Sequence, residues 1–515
     1  MKRWEVLVAI AGAVLLALGA HWIRRGELPR RDFVLQAGNC HVPVTSFSPL
    51  TSDAPAGSVI ILHGLAANRR VMSYLGEDFA GHGFNTYLFD LSGHGDNTDA
   101  FSFASVENCA AAAVSALMRR DSLDAKRTIL LGHSMGGMIA IRMADKIPIA
   151  ATVAISPAPM VLPRRMPANL LVYSAQFDVW QLRNQALALQ LAAGGDRSAP
   201  DDFAQQRAFA LVQVPLATHT SMLDDRAVTH RSELWAMQAI FPQADAKTLA
   251  LNLDLGTYGT FNNARTRLAG AIAGLLGIAL LLPLCIAGAA KAVGSAAVSY
   301  AETPKALHSV LITFVAAMAA VLLLMAGSPL RFLHIYAGDY LMTVLLIVAI
   351  ALLALNRGAA RAIFFLPPRQ LLVAAVLAVA SFLAIGAWFN WELADLWLNA
   401  PRWLRFLELL PLAAIVSYAE ETVLGPVRSG KSRALRFGLF LALRLEIWLV
   451  LLFAFFVLGS GQILLPILVV QFGAFSVCQR LATDAFLGRT GSAAAAALFG
   501  AILAAWFVAA VFPLT

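Results

Sequence analysis

The chain has 515 residues, 59% hydrophobic and only 14% charged, with a mean hydropathy of +0.69. Soluble globular chains carry about 25% charged residues, so this composition excludes a wholly water-soluble protein. The net charge of +8 lies in the apolar half: residues 1–264 hold 22 Lys and Arg against 22 Asp and Glu, and residues 265–515 hold 17 against 9. A nucleic-acid groove needs a concentrated basic stripe on a soluble domain, and there is none in this sequence; basic residues in short loops between apolar spans are what membrane insertion selects.

In chain order, Lys2-Arg3 precede an apolar run from Val6 to Ala20 that ends at Arg24-Arg25. Residues 1–25 are therefore expected to be a transmembrane anchor, with a cleaved secretory signal as the alternative. Residues 33–241 alternate short β-branched or aromatic runs with helix-like stretches, which predicts a parallel sheet with crossover helices. The expected strands are Ser58–Leu62, Asn85–Phe89, Thr128–Leu131, Ala151–Ile155, Asn169–Tyr173 and Ala208–Val212. Of the four cysteines, Cys285 and Cys478 fall in apolar spans; Cys40 and Cys109 either pair in an oxidising compartment or remain free thiols. None has metal-ligand spacing.

Within this domain, Gly132-His133-Ser134-Met135-Gly136 follows a predicted strand and precedes a predicted helix, the setting in which G-x-S-x-G forms a nucleophile elbow. Glycines flank such a serine because strand and helix must approach without intervening Cβ atoms. Upstream stand His63-Gly64-Leu65, then Gly83-Phe84 leading to Asp90, then Gly93-His94-Gly95. With these three motifs in this order, residues 55–240 resemble the α/β-hydrolase superfamily, nearest its monoacylglycerol-lipase-like serine esterases. The resemblance implies that backbone N–H groups of Leu65 and Met135 form an oxyanion hole, and that His63, Asp90 and His94 shape the fold. The family order of nucleophile, acid and histidine selects Asp178, just past the strand Asn169–Tyr173, and His219, just past the last strand. Asp201, Asp202, Asp224, Asp225 and His230 read as solvated alternatives, and Ser174 stands where the family more often has glycine. The chemistry expected of Ser134, His219 and Asp178 is acyl transfer through a covalent intermediate, with no metal or organic cofactor. Only the short link Ser156–Ala168 joins two strands where many lipases insert a cap, so an open site is expected.

Residues 242–264 read as a connector, and residues 265–515 as an all-α membrane domain. Apolar stretches near the ~20 residues that cross hydrocarbon fall at 267–290, 306–326, 339–356, 371–389, 404–419, 437–458, 462–480 and 491–513. Alternate loops carry Lys291, Lys305, Arg357, Arg361, Arg369, Arg428, Lys431, Arg433, Arg436, Arg480 and Arg489, against Arg331, Arg402 and Arg405 on the other side. That bias predicts a multi-pass inner (plasma) membrane protein with the hydrolase domain extracytoplasmic; Arg24, Arg25, Arg30 and Arg31 weigh the other way. Tyr418-Ala419-Glu420-Glu421 faintly resembles the paired glutamates of a membrane metalloprotease family. Gly425 replaces that family's arginine, however, and no histidine follows His334. Arg444, Glu446 and Glu408 lie inside spans, where a static Arg–Glu clasp is expected, with a substrate or ion route as the alternative. The expected function is a membrane-anchored esterase acting on a lipid or small-molecule acyl ester. The alternative is a transporter or scaffold with a regulatory or degenerate hydrolase domain.

Overall fold

A computed structural model describes residues 3–25, 28–49, 55–144, 146–194, 201–254, 263–291, 294, 305–327, 332–426 and 430–515. Arg331, Arg428 and residues 255–262 of the expected connector lie outside them. The chain divides into two compact units. One comprises Leu18–Ile272, Trp388–Asp395 and Pro513–Thr515; the other comprises Met1–Ala17, Ala273–Ala387 and Leu396–Phe512.

The first unit is built on an eight-stranded sheet: β1 (Arg30–Ala37), β2 (Cys40–Phe47), β3 (Gly57–Leu62), β4 (Phe84–Phe89), β5 (Thr128–His133), β6 (Ala151–Ile155), β7 (Leu170–Ala175) and β8 (Phe209–Val214). The order across the sheet is β1-β2-β4-β3-β5-β6-β7-β8. From β4 to β8 every pairing is parallel, while β1–β2 and β2–β4 are antiparallel. This is the α/β-hydrolase fold. Every residue of β3, β5, β6 and β7 is buried, as expected of central parallel strands covered on both faces. The β1–β2 hairpin turns at Gly38, whose φ of 64° suits glycine, and it was not among the expected strands. Cys40 at its turn is disulfide-bonded to Cys109, with a Cα separation of 5.6 Å.

α1 spans Arg3–Arg25, and the sheet is flanked by α2 (Ser73–Gly81), α3 (Phe103–Arg120), α4 (Met135–Ala144), α5 (Trp180–Ala192) and α6 (Arg226–Ile240). Within the expected connector, Ala246–Asp254 form α7, which adds Leu249 and Leu253 to the core containing Val59, Leu131 and Tyr173. The segment Trp388–Asp395, which includes the end of helix 368–392, and the chain end belong to this unit through specific bonds. Asn68 Nδ2 donates to the Asp395 carbonyl (3.2 Å), and the Asp395 N–H donates to Asn68 Oδ1 (3.1 Å). Leu514 bridges Gly93 and Phe101 through backbone hydrogen bonds of 2.9 and 2.7 Å.

The second unit is helical; apart from residues 263–272 of α8 and 388–392 of α12, which fall in the first unit, it contains α8 (Asn263–Lys291), α9 (Ala306–Ala326), α10 (Gly338–Leu355), α11 (Arg357–Ile363), α12 (Pro368–Glu392), α13 (Ala400–Leu424), α14 (Gly430–Phe456), α15 (Leu464–Thr490) and α16 (Ala493–Val511). Among the described residues, eight helices are long and apolar enough to cross a membrane: α1, α8, α9, α10, α12, α14, α15 and α16. α13, expected as a span over 404–419, is outside that set because it carries Arg402, Arg405, Glu408, Glu420 and Glu421. It packs along α16, whose small Ala493–Ala497 side chains allow close approach.

The charges are paired. Glu421 meets Arg436 and Arg480 at 2.7 Å each, and Asp484 meets the same two arginines at 3.0 and 2.7 Å, closing a buried ring of four. Arg444 pairs with Glu420 (2.5 Å), and Arg405 with Glu408 (2.8 Å). Most residues expected in these loops fall within helices instead: Lys291 in α8, Arg357 and Arg361 in α11, Arg369 in α12, Lys431, Arg433 and Arg436 in α14, and Arg480 and Arg489 in α15; for Arg436 and Arg480, ion pairing lets the helix run past the end of its apolar stretch. Arg402 and Arg405, counted on the opposing side, likewise lie inside α13.

In the hydrolase unit, His82 at the end of α2 contacts Glu233 of α6 at 2.8 Å. Burial opposes charging His82, but the Glu233 carboxylate outweighs it and the pKa rises to about 9. Burial and Glu233 also push Asp78 up to about 7. Both groups bind protons more tightly folded than unfolded, so stability falls as pH rises. The His82 contribution is complete below its unfolded value near 6.5 and is lost as pH passes 9. Thermal unfolding of the full chain in detergent should therefore weaken between pH 6 and 9, by on the order of a few kcal/mol, and His82→Gln should flatten that slope.

Candidate active site

β5 ends at His133, and the next residue turns sharply: Ser134 has φ of 54°, in the left-handed region. The Ser134 N–H donates to the Ile155 carbonyl (2.9 Å), and its own carbonyl accepts from Met138 and Ala158 (3.0 Å each). Glycines make the turn possible. A Cβ on Gly132 would lie 2.5 Å from the Gly137 nitrogen, and one on Gly136 would lie 2.7 Å from the His63 carbonyl oxygen. Met135 is the first residue of α4, among the positions whose N–H has no partner within its own helix.

Gly64 closes the other side. A Cβ there would sit 3.0 Å from His133 Nδ1 and 3.1 Å from Ser134 Cβ. The peptide joining Gly64 to Leu65 thus runs directly past the serine. This turn is anchored from behind. Arg69 N–H donates to Asp90 Oδ1 (2.7 Å), and its guanidinium meets Asp90 and Asp96. Asp90 also accepts from the Asp96 N–H (2.9 Å). The His63 ring accepts from the Leu91 N–H at 3.0 Å, and burial holds its pKa below the usual value, so it stays neutral. His94 Nδ1 lies 2.9 Å from the Ser92 carbonyl. The Asp90, Asp96 and Asp395 carboxylates converge; burial first, then the neighbouring Asp96 and Asp90, raises Asp395 to about 7.

Asp178 follows β7 and is buried; His219 follows β8. His219 Nδ1 lies 2.9 Å from Asp178 Oδ1 and 3.2 Å from Ser156 Oγ, and the Ser156 hydroxyl donates to Asp178 Oδ2. The structure therefore joins Asp178 and His219 directly. Among the described residues, no hydrogen bond joins the His219 ring to Ser134, a contact that often tightens only around substrate. His133 bridges the two instead: it precedes Ser134, its ring lies 4.6 Å from that of His219, and its Nε2 donates to the His219 carbonyl (3.0 Å). Burial, then the neighbouring His219, lower His133 to about 3, so it adds no charge beside His219.

The competing acids are engaged elsewhere. Asp225 caps α6 through the Ala227 N–H (2.8 Å), and Asp202 pairs with Arg207 (2.6 Å). Ser156 is the residue that motif reasoning did not single out. Its φ of 46° is a second strained position at a strand end, invisible in a sequence that shows only a serine after a hydrophobic run.

Residues 53–209 match the family described as "Serine aminopeptidase, S33". Solved structures with a similar fold include a predicted CIB-like hydrolase from Thermoplasma acidophilum, 14% identical with a TM-score of 0.32, covering 42% of this chain and 99% of that one. A serine hydrolase described as lacking a lid, from Xanthomonas campestris, is 16% identical with a TM-score of 0.30 and covers 44% and 93%. A carboxylesterase from Bacillus subtilis is 14% identical with a TM-score of 0.31 and covers 43% and 96%. No curated protein matches the chain.

Arg69 is the cation that neutralises a buried carboxylate behind the Gly64 turn. Arg69→Met strands Asp90, and leaving one partner of a buried pair costs about 3–5 kcal/mol. Thermal unfolding should show that loss, and adding Asp90→Asn should recover part of it.

Proposed function

From a serine-hydrolase domain over residues 53–209, we infer that this chain is a membrane-anchored esterase cleaving a lipid or small-molecule acyl ester through Ser134, His219 and Asp178. The carrying observation is the hydrogen-bonded pair of His219 and Asp178 beside a serine held at positive φ. In this mechanism Ser134 Oγ attacks the ester carbonyl carbon as His219 Nε2 takes its proton. The N–H groups of Leu65 and Met135 hold the resulting oxyanion, where each such donor typically contributes ~10²–10³ in rate. Collapse breaks the bond to the alcohol, which leaves with the proton from His219; water then repeats the sequence on the acyl-enzyme. Asp178, bonded to Nδ1, fixes the tautomer and stabilises the imidazolium. Ser156 holds the second oxygen of Asp178.

An extracytoplasmic hydrolase domain accords with the Cys40–Cys109 disulfide, since such bonds persist in oxidising compartments. Chain parity bears on the number of spans rather than on which side the domain faces. Asp395 and Leu514 are both hydrogen-bonded to the hydrolase fold, so both share its side of the membrane. Between them run α14, α15 and α16, an odd number of spans, so α13 must also cross despite its charges.

A fluorophosphonate should label the wild type covalently, and Ser134→Ala should abolish labelling; a chain that is only a transporter or scaffold remains unlabelled. Asp178→Asn should lower turnover by about 10³–10⁴-fold. Ser156→Ala, removing one hydrogen bond to a charged group, should lower it by about 10–100-fold. For placement, Cys285 and Cys478 are first replaced and single cysteines introduced. Gln243→Cys should react with an impermeant maleimide in intact cells and Ser429→Cys should not; the reverse pattern puts the site in the cytoplasm.

A further inference from the structure

The candidate site lies at the carboxyl edge of the sheet, and the loops beside it on that edge carry an unusual surface. The link after β6 exposes Val161 and Leu162, the loop after β7 exposes Phe177 and Trp180, and the loop after β8 exposes Leu216. Their exposures run from 38% for Leu162 to 84% for Val161. Single exposed apolar residues are ordinary; five large ones on three neighbouring loops form a patch. The loops are fastened together: the Phe177 N–H donates to the Ala217 carbonyl (3.0 Å), the Leu216 N–H to Gln176 Oε1 (2.7 Å), and the Met160 N–H to Gln185 Oε1 on α5 (3.1 Å). Beside Val161 and Leu162, Arg164 and Arg165 are also exposed. Apolar side chains flanked by arginines are the chemistry of a surface that dips into a bilayer and attracts anionic headgroups.

The same edge is tied to segments that emerge from membrane spans. Asn68 and Gly93 lie on the loops after β3 and β4, at the carboxyl ends of those strands. Asn68 holds Asp395, four residues beyond the apolar span Pro368–Trp391, and Gly93 holds Leu514, three residues beyond α16. Both segments therefore join this edge to apolar spans through short stretches of chain, of which four residues reach at most ~14 Å.

We propose that the arginine-flanked apolar rim formed by the loops after β6, β7 and β8 is a bilayer-docking surface that seats the open site on an anionic leaflet. Substrate then enters from lipid. The proposal rests on the serine-hydrolase reading for its consequence, but the docking itself can be measured separately.

The full chain, with Cys285 and Cys478 replaced, is reconstituted in vesicles of phosphatidylcholine and phosphatidylglycerol containing a shallow spin-labelled lipid. A fluorophore is placed on Leu162→Cys or Trp180→Cys, and in a third variant on Lys126→Cys, exposed at the opposite edge of the sheet. The first two should be quenched several-fold more than the third; equal quenching overturns the proposal, including the case in which a protein partner covers the rim. In a second arm, Arg164→Gln/Arg165→Gln and Val161→Ser/Leu162→Ser should each lower the ratio of long-chain ester turnover in vesicles to turnover of a water-soluble ester by about tenfold or more. An unchanged ratio also overturns it. If the wild type takes no fluorophosphonate, the esterase reading fails while the quenching still decides the docking.

Discussion

Everything at the candidate site depends on one unfavourable backbone conformation. A non-glycine residue at φ of 54° costs on the order of 1–3 kcal/mol and persists only where its surroundings over-determine it. Around Ser134 they do. Its N–H is claimed by β6 through the Ile155 carbonyl, and its carbonyl by Met138 and Ala158, so the turn cannot relax without breaking bonds on both sides. Close approach of Gly132 to Gly137, and of Gly136 to the end of β3, then locks helix α4 against the sheet. The chain leaving β3 then passes close over the serine, and a Cβ at position 64 would be tight, 3.0 Å from His133 Nδ1 and 3.1 Å from Ser134 Cβ. The position of the Leu65 peptide is a consequence of packing, as is the alignment of the α4 amino terminus.

Elements whose signal is local were the ones legible in the sequence. Six strands announce themselves as short apolar runs, and their observed limits differ from the expected ones by no more than two residues. Ser134 could be picked out from the elbow motif, and Asp178 and His219 from strand ends taken in the nucleophile, acid and histidine order that the family resemblance implies. The hairpin β1–β2 could not, because its first strand opens on Arg30-Arg31-Asp32 and exposes most of one side at the sheet edge, which dilutes the hydrophobic pattern. Ser156 was missed because its distinguishing properties are an angle and a neighbour, neither of which has a residue code. The pairing of Asn68 with Asp395 spans 327 positions and uses backbone atoms of one partner, so no local pattern could reveal it.

The helical unit shows why hydropathy alone misjudges helix limits. An unpaired ion in a low-dielectric interior carries a penalty of several kcal/mol, whereas a matched set of ions satisfies its own field. Glu421, Asp484, Arg436 and Arg480 form such a set, each in contact with two opposite charges. The ring permits α14 and α15 to continue as helix through positions that a charge count assigns to loops. It also lets α13, the most polar of the long helices, be buried against α16. The likeness of Glu420-Glu421 to a metalloprotease motif acquires a structural meaning here: both carboxylates face guanidinium groups.

The short link between β6 and β7 makes a demand that the hydrolase fold alone does not meet. Oxyanion stabilisation is strong only where water is excluded, because two N–H donors gain far more in a low dielectric than in solvent. Cap domains supply that exclusion in many hydrolases, and here about a dozen residues leave no room for one. If the exposed rim of Val161, Leu162, Phe177, Trp180 and Leu216 docks on a lipid surface as proposed, it would supply that exclusion by other means. Hydrocarbon delivering an acyl chain would then also displace water from around the serine. In that arrangement the bilayer is both reservoir and lid, and a domain held to it by its own chain has no need to carry a lid.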